Sequence, residues 1–191
     1  VSTNFLKLAD GVDVTPLRLE LARQPELWNR NDARLKPWMP HHETDDIWLR
    51  YKDETENIAS GSYANFADAH WPIWYPAYYS LPSTRRLIFD LMARVEGEAL
   101  GGVLIYRVPP GKQIYPHTDK GWHADYYEKF NITIESNSQS AFYYPDHNEA
   151  MLSRMGDAFW FKNTVSHGVK NDGVTDHIVM TVCIKTHAFK G

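Results

Sequence analysis

Val103-Leu104-Ile105-Tyr106-Arg107-Val108-Pro109-Pro110-Gly111-Lys112-Gln113-Ile114-Tyr115-Pro116-His117-Thr118-Asp119 is the stretch on which the fold turns. Residues 103–108 have the apolar, β-branched and aromatic content of a strand. Two prolines and a glycine cannot continue that strand, so residues 109–112 predict a turn and residues 113–117 a second strand. The pattern repeats towards the C-terminus. Residues 130–135 set Ile132 and Ile134 against Asn131, Thr133 and Glu135, the two-residue period of a half-buried strand. Residues 141–144, 158–161, 166–169 and 178–185 predict further short strands. Seven or eight strands in about 85 residues leave no room for crossover helices, which implies a double-sheet barrel or jelly roll.

Upstream of residue 100 helix signals dominate. Thr15-Pro16 reads as a capping residue followed by a first-turn proline, with Leu17, Leu21, Leu27 and Trp28 supplying an apolar face in two short pieces. A stronger helix is predicted from 83 or 84 to 95, where Leu87, Ile88, Leu91, Met92 and Val95 form one stripe and Gly97 ends it. Between these helices Phe66, Trp71, Trp74, Tyr75, Tyr78 and Tyr79, interrupted by Pro72 and Pro76, predict an irregular aromatic segment packed against the barrel. The expectation is one domain over 1–191, mainly β with flanking helices, with 1–100 as helical and irregular support and 101–187 as the core.

Composition narrows the function. A net charge of −4 lacks the basic footprint that a phosphate backbone requires, which argues against nucleic acid as a partner. Cys183 is the single cysteine and lies in an apolar run, so no disulfide framework or Cys-rich zinc site can form. No stretch approaches the ~18 apolar residues of a membrane span, and the first residues do not read as a signal peptide. These features suit a cytoplasmic protein that acts away from membranes.

The chemistry gathers around His117 and Asp119. Residues two apart on a strand project to one face, so these side chains can converge while Thr118 turns away, and His167 on a distant strand can complete the set. Two imidazoles and a carboxylate on one face of an octahedron leave positions open for a redox metal, whereas zinc prefers tetrahedral closure. By spacing alone the alternative of polar residues bonded to backbone stays open, because His-x-Asp is a common pattern.

The flanks say more. Pro110-Gly111 precedes the His-x-Asp pair, Gly156-Asp157-Ala158-Phe159-Trp160-Phe161 and Asn163 precede His167, and Gly168-Val169-Lys170-Asn171-Asp172-Gly173 and Ile178-Val179-Met180 follow it. In this order, residues 101–187 resemble the double-stranded β-helix core of iron(II)/2-oxoglutarate oxygenases, in particular the aspartyl/asparaginyl β-hydroxylase-like branch. The resemblance implies a cupin-like jelly roll, Fe(II) on His117, Asp119 and His167, 2-oxoglutarate as co-substrate, and O2-dependent hydroxylation of an amino acid, free or peptidyl. The best-known β-hydroxylase of that branch lacks the carboxylate ligand, so Asp119 makes this chain look more like relatives with a complete triad. An aspartate ligand also leaves no place for a halide.

Such enzymes usually carry an arginine about ten residues after the distal histidine, and here His177 stands in that position. The resemblance therefore implies Lys129 and His177 as partners of the far carboxylate, with Asn131 and Tyr106 assisting. His177 reads equally as a surface residue after Asp176, and Lys129 equally as a solvated lysine. Trp122 and His123 fall where related loops meet substrate. His41, His42, Glu43, Asp45 and Asp46 read as a solvated loop, and Arg30, Arg34 and Arg50 as surface arginines, with an anionic substrate as the other reading. A cupin-like metal-binding module or a domain without catalysis remains the alternative function.

Overall fold

The computed structural model describes residues 4–62, 65 and 68–187. In chain order the elements are β1 (Phe5–Ala9), α1 (Thr15–Arg23), β2 (Asp45–Tyr51), α2 (Thr55–Ser60), β3 (Ile73–Trp74), α3 (Pro76–Ser80) and α4 (Thr84–Arg94). They continue as β4 (Ala99–Val108), β5 (Gln113–His117), α5 (Trp122–Tyr126), β6 (Glu128–Glu135), β7 (Ser140–Tyr144), β8 (Glu149–Met151), β9 (Ala158–Phe161), β10 (His167–Asn171) and β11 (His177–Lys185). The strands make two antiparallel sheets, a larger one ordered β1-β9-β6-β11-β4-β2-β3 and a smaller one ordered β5-β10-β7-β8. All the strands read from the sequence are present. No helix among the described residues is long and apolar enough to cross a membrane.

The sheets face each other across an aromatic core that takes Tyr106, Phe159 and Val179 from the larger sheet and Ile114, Phe142 and Val169 from the smaller. A second core lies on the outer face of the larger sheet. There α1 and α4 press Leu17, Leu21, Leu87, Ile88 and Leu91 onto Ile47, Ile105, Phe130, Ile132, Met180 and Val182. Each such side chain contributes about 1.5–3 kcal/mol on burial, which outweighs the absence of a side-chain cap on either helix.

Covered on both faces, β6 is not the half-buried strand that its alternation predicts. Ile132 and Ile134 meet the helices, whereas Asn131 turns into a cavity between the sheets. The two-residue period thus separates two buried environments rather than core from solvent.

Residues 1–100, expected to be helical and irregular, also supply β1, β2 and β3. The strand β2 starts inside the acidic run read as a solvated loop, and its alternation sends Ile47 and Leu49 to the outer core and Trp48 and Arg50 to the cavity. Its acidic residues are neutralised by neighbours: Arg107 meets Asp45 (2.7 Å), and Arg34 meets Asp46 (3.0 Å), which is fully buried. Two cap expectations also change. Thr15 is the first helical residue, Val14 occupies the cap, and the Asp13 carboxylate accepts the Thr15 amide (3.1 Å). At the end of α4 the left-handed residue is Glu96 (φ 52°) rather than Gly97. Gly97 donates back to the Met92 carbonyl (2.8 Å) and lies so close to Ile184 that a Cβ would approach it to 2.6 Å. In the aromatic segment Trp74 stacks on Tyr78 (3.8 Å) as packing requires, Trp71 is solvent-exposed, and Phe66 lies outside the described residues.

The motif residues around His167 have structural duties. The Asn171 side chain is fully buried and closes the turn between β10 and β11, donating to the carbonyls of Val108 and Thr175 (both 2.8 Å) and accepting from Gly173 N–H (3.1 Å). Gly156 holds φ +84° ahead of β9, and its carbonyl accepts the Val12 amide (3.0 Å). A Cβ there would lie 2.7 Å from the Val12 carbonyl oxygen, which is backbone and cannot swing away. Gly156→Ala should therefore lower unfolding stability by about 2–4 kcal/mol, seen as a reduced urea midpoint at unchanged slope.

Candidate metal centre

His117 is the last residue of β5 and His167 the first of β10, and the two stand directly opposite each other in the antiparallel register. Their rings lie 4.6 Å apart. Each imidazole is fixed by its own backbone: His117 Nδ1–H donates to the Tyr115 carbonyl (2.8 Å) and His167 Nδ1–H to the Val165 carbonyl (2.8 Å). A carbonyl can only accept, so both protons sit on Nδ1 and both Nε2 lone pairs are free.

Asp119 follows beyond the strand end. Its position comes from the loop, whose Asp119 amide donates to the Asn163 carbonyl (3.1 Å), and not from strand periodicity. The Asp119 oxygens stand 3.7 Å from His117 Nε2 and 3.8 Å from His167 Nε2. All three ligand atoms fall within 4.8 Å of one another, close enough to meet on one ion.

The electrostatics favour that use. Burial lowers the pKa of His167 to about 4 and lowers that of His117 as well, so both rings are neutral near pH 7. Burial alone would raise the Asp119 carboxyl, but the Lys129 ammonium 2.6 Å away and the nearby histidines outweigh it and bring the pKa to about 2. Two neutral donors and one anion, with ring protons anchored on carbonyls, are a donor set that fits a divalent metal.

This cluster opens on a cavity of about 380 Å³ between the sheets, within the range of small-ligand sites. Lys129, Asn131 and Tyr106 all line it. Asn131 Oδ1 accepts from Thr181 Oγ (2.7 Å) directly across β6 and β11, and Tyr106 stands opposite Asp46, the partner of Arg34. His177 does not line the cavity. It starts β11, six residues before the Cys183 that stands opposite Lys129, or about 20 Å of strand. There it is neither surface residue nor anchor: it is buried against Ser136 Oγ (3.0 Å), and burial lowers its pKa to about 4. Of the two loop residues, Trp122 stacks on Tyr126 away from the cavity, whereas His123 lines it. His123 Nε2 accepts the Gly102 amide (3.1 Å), a contact that the missing Cβ of Gly102 permits, and burial takes its pKa to about 3.

Several lining residues escaped the sequence reading. His41, assigned to a solvated loop, is buried with its ring 4.7 Å from that of His117, although its nitrogens do not join the ligand cluster. Arg34 and Arg50, read as surface arginines, both line the cavity, as does Cys183. No periodicity marks residues 28–44, so spacing could not have found Arg34 or His41. The alternation of β2 could have placed Arg50 beside Trp48.

No protein-family model matches the sequence, and no curated protein matches it. Solved structures do. A prolyl hydroxylase from Trichoplax adhaerens, in complex with a hypoxia inducible factor oxygen degradation domain peptide, superposes with a TM-score of 0.62 at 10% identity over 98% of this chain and 86% of that one. An oxidoreductase of the 2OG-Fe(II) oxygenase family from Burkholderia pseudomallei gives 0.58 at 15% over 98% and 86%. A viral collagen prolyl hydroxylase from Paramecium Bursaria Chlorella virus-1, as a 2OG complex, gives 0.53 at 12% over 97% of each chain. At these identities the likeness is one of fold, and the fold of this chain is a double-stranded β-helix.

Replacing His117, Asp119 or His167 by Ala should weaken cobalt(II) binding at least about a hundredfold by titration, while His41→Ala keeps it. The metal-free protein should also lose stability in acid. With His123, His167 and His177 neutral down to pH 4 or below in the fold but protonated near 6.5 once unfolded, the unfolded state binds more protons in that window. The urea midpoint should fall steadily between pH 6.5 and 4.

Proposed function

We propose that this chain is an iron(II)- and 2-oxoglutarate-dependent oxygenase that hydroxylates an unactivated C–H bond of an amino acid, free or peptidyl. The observation that carries the reading is the pair of strand-end imidazoles, proton-locked on Nδ1, converging with Asp119 at the edge of a cation-lined cavity. With iron bound, 2-oxoglutarate and O2 convert R–H to R–OH and release succinate and carbon dioxide. Everything else is supplied by the protein as geometry and exclusion of water.

His117, Asp119 and His167 would hold the metal through the two Nε2 atoms and a carboxylate oxygen. Their neutral, buried state means that no proton has to leave an imidazole before it can ligate. Lys129 keeps Asp119 ionised and holds one of its oxygens in place.

The far carboxylate of 2-oxoglutarate binds in the next tier of the cavity, where Asn131, Thr181 and Tyr106 offer neutral hydrogen-bonding groups. Two cations flank this tier. Lys129 stands two residues before Asn131 on β6, and Arg34 reaches in beside Asp46, opposite Tyr106. Arg34 gives Nη1 to Asp46 and has Nε and Nη2 left for a ligand, so its planar fork takes the part that the family resemblance implied for His177. Burial raises the Tyr106 phenol above its ordinary pKa, which keeps it a donor. The likeness of residues 101–187 to the β-hydroxylase branch and the peptide held by the Trichoplax protein both support a substrate of amino-acid chemistry.

Anaerobic iron(II) and 2-oxoglutarate should together give a visible charge-transfer band. Tight zinc without any such band would overturn this reading in favour of a metal-binding module. Lys129→Met and Arg34→Lys should each raise the 2-oxoglutarate concentration for half the band about tenfold or more. Arg34→Lys should leave cobalt(II) affinity unchanged, whereas Lys129→Met, which releases the Asp119 oxygen, should weaken it as well. His177→Asn should move neither quantity.

A further inference from the structure

We infer that the substrate of this site carries a carboxylate and that Arg50 receives it, an inference that rests on the oxygenase reading above. The charges that line the cavity do not balance. The cavity is lined by four cationic side chains, Arg34, Arg50, Lys120 and Lys129, and by one acid, Asp119. Lys129 is answered by Asp119, and Arg34 by Asp46 immediately behind the wall. Lys120 is solvated at the rim.

Arg50 differs from all three. It is only partly exposed, and no Asp or Glu forms an ion pair with it among the described residues. The residues outside that set contain neither acid type. Its guanidinium lies over the Trp74 ring (4.7 Å), and Nε donates to the Leu100 carbonyl in a long bond (3.4 Å). Those contacts aim the group without neutralising it. Burial lowers its pKa, opposed by the Tyr127 and Tyr78 phenols and by no carboxylate. A guanidinium that loses water without gaining a counter-ion costs stability, and an incoming anion removes that cost.

Position separates this arginine from the co-substrate tier. The Arg50 backbone pairs with Val103, which pairs with Val182, one rung from Lys129–Cys183 and one from Asn131–Thr181. Its Nε reaches on to the Leu100 carbonyl, and Leu100 pairs with Ile184, beyond the Lys129–Cys183 rung on the side away from Asn131. The guanidinium therefore lies on the metal-ligand side of the cavity, where Lys120 is open to solvent and Thr118 partly so. Asp46, the partner of Arg34, lies three rungs further along β4, about 10 Å deeper. A co-substrate that reaches from the metal into the Asn131 tier leads away from Arg50, so the free fork faces the side from which substrate approaches.

The carboxylate has two possible sources, the α-carboxylate of a free amino acid and the side chain of an acidic residue in a peptide. Zinc-loaded protein, which cannot turn over, is probed by thermal shift with and without 2-oxoglutarate. One arm uses the free L-amino acids against their α-amides. The other uses capped tripeptides centred on Asp or Glu against the same peptides with Asn or Gln. At least one carboxylate probe should stabilise the protein, and its amide should not. Arg50→Gln should weaken that probe about tenfold or more, Arg50→Lys should weaken it less, and neither should shift 2-oxoglutarate affinity by more than about twofold.

Equal binding of acid and amide would overturn the inference, as would no response to any carboxylate probe, or loss of 2-oxoglutarate binding in Arg50→Gln. A carboxylate response in protein that never binds 2-oxoglutarate would sink the oxygenase reading alone.

Discussion

The pairing of His117 with His167 across the last rung of β5 and β10 is the constraint on which the rest of the structure depends. A rung of antiparallel sheet sets two side chains side by side, but it does not choose which ring nitrogen faces the partner. That choice comes from the carbonyls of Tyr115 and Val165, each two residues upstream of its histidine, which take the Nδ1 protons and turn both Nε2 atoms towards Asp119. Burial then keeps the rings neutral. Moving either strand by one residue would send one imidazole to the opposite face, so the packing of Ile114, Phe142 and Val169 that fixes this register also fixes the ligand geometry.

Much of this was legible in sequence, and for physical reasons. Strands with turn residues at both ends, such as 130–135 and 158–161, carry their own signal, and the flanks of His167 gave the fold its identity. What stayed hidden belongs to tertiary structure. Strand β2 opens with acids that read as solvent-exposed until Arg34 and Arg107 are seen to neutralise them. Residues 28–44 have no period at all, yet their loop carries His41 and Arg34 to the cavity. His177 had the right distance from His167 in sequence but the wrong one in space, because the turn closed by Asn171 sets β11 so that Thr181 and Cys183 reach the cavity instead.

The cavity is graded in charge along its depth. Neutral imidazoles and a paired carboxylate stand at one level, polar uncharged groups at the next, and a buried arginine–aspartate pair lies deeper still. This gradation is possible because the larger sheet is covered on both sides. The helices bury Ile132, Met180 and Val182 on its outer face, which frees Asn131, Thr181 and Lys129 on the inner face from any part in the hydrophobic core. The outer-face core thus leaves room on the inner face of the same strands for polar side chains beside the smaller aromatic core.

The place of β11 in the larger sheet bears on how the chain reaches this state. It lies between β6 and β4, yet every other strand of that sheet precedes it in sequence. Until residues 177–185 are available, β4 and β6 each present an unpaired edge rich in valine, isoleucine and phenylalanine. The two halves of the sheet cannot join by local steps, because the central piece arrives last and must be inserted. Folding is therefore expected to be slow, with its greatest exposure to aggregation just before completion, when two open edges wait for a single strand.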